Sequence, residues 1–185
     1  AFLPGGGEVC GFFGLVLHAG ARPRPRRDSA GAFVPLSRQD VALWDGALIA
    51  EAEDAIRAAA AAGRPGRFQI EAAIQSLHVQ AARSGVRNPA ALVALYEMLA
   101  RLSPTAGVLV ARAAALAEAE RPEAALSALD AIADAATGYQ PFWAARGDAL
   151  ARLGRRAEAA EAFRRAAGMT ADPAVRAFLL ARAGG

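Results

Sequence analysis

Between residues 139 and 173, side-chain sizes recur at intervals that favour one arrangement, two helices packed as a hairpin. Gly147 and Ala159 are small, Trp143, Leu150 and Phe163 are large, and a further small residue, Ala166, follows on the second helix. Small facing residues let two helices approach closely, and large neighbours fill the space beside the contact. Leu153-Gly154 lies between the two, where glycine accepts the left-handed backbone that closes a helix. Hydrophobic residues make up 55% of the chain but aromatics only 6%, so alanine supplies most of the bulk. Alanine is the best helix former and packs helices closely. The expected fold class is all-α.

This spacing resembles the tetratricopeptide repeat, whose period is about 34 residues. Trp143, Gly147, Leu150, Ala159, Phe163 and Ala166 are then the repeat-packing residues. The usual closing proline falls at Ala171, and Pro173 comes two residues later. One period back, Leu116, Ala125, Leu129 and Ile132 hold the equivalent positions, and two periods back Ala91, Leu95 and Met98 do so. The resemblance implies tandem antiparallel helical hairpins over residues 67–185, three in number and the earlier two degenerate. A capping helix at 173–183 would close a small tetratricopeptide-like superhelix. Each hairpin needs neighbours to bury its apolar face, and such stacks present a concave surface to a peptide or a domain.

Residues 1–66 read as a separate N-terminal helical segment. Its first helix, Glu8 to Ala21, is apolar nearly all round and is expected to be buried. A Pro/Arg-rich loop follows, with Arg22, Arg24, Arg26 and Arg27 as a solvated basic run and Ala32 to Val34 as a short extended piece. Ser37 is the N-cap candidate of a second helix running through Trp44 and Leu48 to about Ala62, where Gly63-Arg64-Pro65-Gly66 stops it. Within such a helix Asp40 and Trp44 lie at i, i+4, with Asp45 adjacent. Gln39, Asp40, Trp44 and Asp45 are the candidate partner-binding residues, since tryptophan beside carboxylates suits an interface anchor. The competing reading makes Trp44 core, Asp40 a helix-terminus ligand and Asp45 an arginine partner. Further helices are expected at about 67–83, from Asn88-Pro89 to Leu102, and at about 105–119, 122–136, 140–153, 156–168 and 173–183.

Several function classes find no support. All 21 bases are arginine, nearly balanced by 18 acids. Cys10 is the single cysteine, and His18 and His78, the two histidines, form no zinc spacing with it. No phosphate loop or nucleophile elbow occurs. The expectation is a protein that is not an enzyme and takes no cofactor or metal. The apolar run Val9 to Ala21 holds three glycines and is too short to span a bilayer, so a cytoplasmic, membrane-free protein is expected. The chain does not begin with methionine and reads as a piece that lacks an N-terminal portion.

A second resemblance covers nearly the whole chain. It rests on Glu8-Val9 with Gly11, on Ala21-Arg22, and on Val34-Pro35-Leu36-Ser37-Arg38-Gln39-Asp40 running into Leu43-Trp44-Asp45 and Ala47 to Glu51. Gly63 to Gly66 with Gln69, Ala72-Ala73-Ile74, Leu95-Tyr96 and Leu153-Gly154-Arg155 continue it. In order and spacing these blocks resemble the C-terminal tetratricopeptide-like extension of a subgroup of bacterial extracytoplasmic-function RNA polymerase sigma factors. The most specific element is Gln39-Asp40, three residues, then Trp44-Asp45. Val41 stands where that pattern has a basic residue, Gly46 where it has a larger one, and Ala111 where it favours asparagine. The resemblance implies a regulatory interaction domain that modulates transcription initiation, with upstream sigma domains and RNA polymerase as partners and DNA reached only through those upstream domains. A free-standing tetratricopeptide scaffold for a peptide or protein partner is the alternative, and a small-ligand sensor a further one.

Overall fold

The computed structural model describes residues 6–22, 26–61, 63 and 65–185. Among them the fold is all-α: ten α-helices pack as adjacent antiparallel pairs, and they fall into two compact units. The first unit takes in the chain to Ala30 and Val34–Asn88; the second takes in Gly31–Phe33 and Pro89–Gly185. The helix after Gly66 therefore belongs with the N-terminal segment, and the division falls at Asn88 rather than at residue 66.

In the first unit, α1 (Gly6–Gly20) packs on both α2 (Gly46–Ala60) and α3 (Arg67–Ser84). Its inward face is made of Gly7, Gly11, Gly14 and His18. A Cβ on Gly11 would lie 2.6 Å from the backbone nitrogen of Gln69, so α1 touches the start of α3 backbone to backbone. The expectation of an all-round buried first helix is corrected here. Glycines turn inward to permit the approach, and Val9, Phe12, Phe13 and Val16 are left exposed.

The start of α3 is satisfied from a distance. Gly66 has no side chain to cap the helix, and the Glu8 carboxylate accepts from the backbone N–H groups of Phe68 (3.2 Å) and Gln69 (3.3 Å). A Cβ at Gly66 would fall 2.2 Å from the Glu8 carboxyl. Gln69 closes the turn: its Oε1 accepts from Gly66 N–H (3.1 Å) and its Nε2 donates to the Ala59 carbonyl (3.1 Å) at the end of α2. The α2–α3 turn thus depends on residues from all three helices. Gly85, with φ 73°, ends α3 in the left-handed conformation.

The second unit holds α4 (Pro89–Leu102), α5 (Ala106–Glu118), α6 (Pro122–Asp130), α7 (Ala133–Ala136), α8 (Gln140–Arg152), α9 (Arg156–Gly168) and α10 (Pro173–Gly184). Helix α5 packs on α4 and α6, α8 packs on α5, α6 and α9, and α9 packs on α10. Val110, Ala113, Leu129, Ala136 and Phe142 form one core cluster. Two expectations change. Residues 122–136 are not one helix: Ile132 leaves helical geometry (φ −119°, ψ 9°), and its N–H turns back to the Leu129 carbonyl three residues earlier. The helices of the earliest expected hairpin belong to different units, α3 to the first and α4 to the second.

Helices α8 and α9 pack as an antiparallel pair. Leu150, Ala159, Phe163 and Ala166 are buried, and Trp143 is half-buried with its Nε1 donating to the Thr137 carbonyl (2.8 Å). A Cβ on Gly147 would lie 2.8 Å from the Phe163 ring, so that ring occupies the volume a side chain would need. Gly154 turns the chain with φ 73°. Asp148 on α8 accepts from Arg152 (2.9 Å) and from Arg182 of α10 (2.8 Å), which fastens the last helix. Asp172 caps α10 through Ala174 and Val175 N–H, with Pro173 following it. The extended piece Gly31–Phe33 joins this unit, the Phe33 ring meeting Phe178 edge-on at 5.3 Å.

Gly147→Ala is expected to destabilise the second unit by about 1–3 kcal/mol, because the ring of Phe163 must move. Gly66→Ala expels the Glu8 carboxylate and is expected to cost the first unit about 1 kcal/mol, as losing a helix cap does. Chemical denaturation of each variant checks both values, and an unchanged midpoint for Gly147→Ala would refute the close contact.

Candidate functional site

The segment from Leu36 to Asp45 is not the start of a helix. It is a pair of 3-10 turns, Leu36–Arg38 and Val41–Leu43, joined by extended backbone at Gln39 and Asp40. Ser37 lies inside the first turn and caps nothing there. Asp40 accepts from the Ala42 N–H (2.9 Å) and holds the second turn. Trp44 is extended, and Asp45 is the true N-cap of α2, accepting from Ala47 (3.0 Å) and Leu48 (3.1 Å) N–H. A carboxylate two residues before a free amide caps a turn as readily as it begins a helix. Asp40 and Trp44 consequently share no helical face.

The four candidate residues are brought together, and they face different ways. Trp44 is 7% exposed and packs in a core cluster with Ala21, Ile49 and Val79. Asp45 also donates its own N–H to the Ala21 carbonyl (3.0 Å), pinning the entry of α2 to the end of α1. Gln39 donates to the Val34 carbonyl (3.3 Å), which braces the first turn. The carboxylates of Asp40 and Asp45 lie at the surface, and between them Val41 and Leu43 are exposed. The large outward-facing apolar residues of the segment are therefore Val41 and Leu43, which the sequence reading did not select. Their signal was the three-residue gap inside the motif, where any side chain not needed for capping or core is free to point outward.

Behind Trp44 lies a buried polar cluster. Arg22 was expected in a solvated basic run, yet it is nearly buried and its guanidinium stands 5.5 Å from the Trp44 ring centroid. It donates to the His18 carbonyl (3.1 Å) and to Gln75 Oε1 (2.7 Å), bonds that hold it inside the helical unit. Arg24 lies outside the described residues. His18 is fully buried, with Nε2 at 3.3 Å from Glu53 Oε1, and the other Glu53 oxygen accepts from Ser76 Oγ (2.8 Å). The contact is close enough for charge attraction, but it lacks the alignment of a hydrogen bond. Burial lowers the pKa of His18 below its ordinary 6.5; the Glu53 carboxylate opposes that shift and Arg22 adds to it. No group of three metal-ligating side chains occurs among the described residues, and none of their helices is long and apolar enough to cross a membrane.

Residues 2–60 match the model of DUF6596, a family of unknown function. The match takes in α1, the Gln39–Asp45 segment and α2, the parts that build this corner. Similarity to an uncharacterized protein of Rhizobium meliloti extends further, at 37% identity over 172 residues. Those residues are 93% of this chain and 41% of the relative, so the chain spans about two fifths of the length of the curated protein it matches. No solved structure matches it.

Because the folded pKa of His18 lies below its unfolded value, the unfolded chain binds the proton more readily. Stability of the first unit is therefore full above pH 6.5 and declines as pH falls below it. Urea titrations on either side of that pH should show the decline in the native chain and a flatter profile in His18→Asn. Trp44→Ala should cost about 3–5 kcal/mol through the cavity it leaves, and a variant as stable as the parent would contradict the core placement of that ring.

Proposed function

We propose that this chain is a regulatory protein-interaction domain of an extracytoplasmic-function sigma factor, working in the cytoplasm. It modulates transcription initiation by contacting the upstream sigma domains or RNA polymerase, and DNA is reached only through those upstream domains. The observation that carries this reading is the build of the Gln39–Asp45 segment, the most specific element of the sigma-factor resemblance. Two caps and a buried tryptophan hold it rigid, while Val41 and Leu43 project between the exposed carboxylates of Asp40 and Asp45. A rigid patch with an apolar centre and acidic edges suits a partner with an apolar centre and basic edges. The greater length of the Rhizobium meliloti relative accords with a domain that works attached to others.

The second unit is, in this reading, a tetratricopeptide-like stack. Support comes from α5 with α6 and α8 with α9 as successive hairpins, from the packing of α8 on both preceding helices, and from α10 as the cap. That same stacking favours a second reading, a free-standing scaffold that binds a peptide along its concave face. The two differ in what they ask of the first unit.

In the full-length protein, Leu43→Asp is expected to reduce promoter activation about tenfold, the effect of losing one well-buried interface anchor. Leu43 is exposed in the isolated chain, so its helical circular dichroism should not change. Full activation by a folded Leu43→Asp protein would remove the contact assigned to this patch. Retained partner capture by a chain whose first unit is disrupted through Trp44→Ala would favour the scaffold.

A further inference from the structure

We propose that the side of α10 around Phe178 is a docking site for an extended segment presenting one aromatic ring, and that the chain's own Arg26–Val34 loop occupies it as a displaceable ligand. The chain leaves the first unit after Ala30, adds Gly31–Phe33 to the second, and is back in the first at Val34. Residues 26–32 of this excursion are exposed, and Phe33 is half-buried with its ring edge-on to Phe178 at 5.3 Å. Phe33 is the one large apolar residue between Arg26 and Val34, so a single ring is what the loop offers α10.

The loop and the helix are each held by bonds of their own. Val34 N–H donates to the Arg26 carbonyl (3.0 Å), and Asp28 Oδ1 accepts from Ala30 N–H (2.9 Å), both within the loop. Gly31, at φ 80°, takes the left-handed step that lets so short a loop close. On the other side, Leu179 is buried, Asp172 caps the first turn of α10, and Arg176 donates to the Thr170 carbonyl (2.7 Å). Arg182 adds its bond to Asp148. Phe178 therefore keeps its place whether or not Phe33 rests on it, and Ala174 and Ala181, one turn to either side, leave the flanks of its ring low. The core phenylalanines of this unit, Phe142 and Phe163, are 1% and 2% exposed, whereas Phe33 and Phe178 are both half-buried. Two self-sufficient parts that meet through half-buried rings separate at little cost. The occupant also defines the partner: extended backbone, one aromatic side chain and small neighbours. A tethered occupant lowers the partner's apparent affinity by the fraction of time the site is taken. Such a site needs only α10 and the loop, and neither the sigma-factor reading nor a concave stack.

The loop itself, as a peptide of Arg26 to Val34 with blocked termini, is the probe. It is titrated to millimolar concentration into the whole chain, and the amide chemical shifts of α10 are followed. The Phe33→Ala chain, whose site is vacated, should bind the peptide about three- to tenfold more tightly than the parent, the range set by the attraction of one edge-on ring pair. Its helical circular dichroism should stay unchanged. Adding Phe178→Ala should abolish the shifts, and a peptide carrying Phe33→Ala should produce none, a control that leaves the protein unaltered. Absence of binding to the Phe33→Ala chain overturns the proposal. So does binding that survives loss of Phe178 or of the peptide's ring, or equal affinity for the parent and Phe33→Ala.

Discussion

Backbone-to-backbone contact between α1 and α3 is possible only where neither helix carries a Cβ in the way, and Gly11 meets that condition against the Gln69 backbone. From that approach the rest of the first unit follows. Closeness at Gly11 brings Glu8, one turn earlier, within reach of the amides that open α3. Gly14, one turn later, sits against Ile56 and the Ala52 carbonyl of α2. The end of α1 then delivers the Ala21 carbonyl to Asp45 and the Arg22 guanidinium to Trp44. A single larger residue at position 11 would separate the helices and remove the reason for each of these contacts.

The second unit solves the same packing problem by a different route. Its helices approach through alternating small and large residues, with Gly147 giving up its side-chain volume to Phe163. Polar side chains are kept for the edges: Asp148 joins α8 to α10, and the Arg165 guanidinium lies 4.6 Å from the centroid of the Trp143 ring. Burial pushes the Asp148 carboxyl up, but hydrogen bonds from Arg182 and Arg152 more than offset it and hold the group below its ordinary pKa. The carboxylate is therefore charged wherever the fold is intact near neutral pH, and the arginine pair keeps its partner.

What was legible in the sequence was whatever is encoded locally. The α8–α9 hairpin could be read because the small and large positions of one hairpin lie within a short span, and Asn88-Pro89 and Gly154 mark turns by their own backbone needs. The Gln39–Asp45 segment was misread because two aspartates in succession offer two capping sites. Only the burial of Trp44 decides which of them begins the helix. The first helix was misread because hydrophobicity alone does not say which side is inward; the glycine spacing at 7, 11 and 14 held that information. The kink after Asp130 has no proline or glycine to announce it. Contacts such as Glu8 to Phe68 join residues 60 apart and have no local signature.

One side chain in the α2–α3 turn has a consequence for motion. Gln69 serves the last turn of α2 with its amide nitrogen and the first turn of α3 with its amide oxygen. Fraying of either helix end therefore pulls on the same carboxamide, which couples the breathing of the two termini, while the Glu8 carboxylate keeps its separate hold on the start of α3.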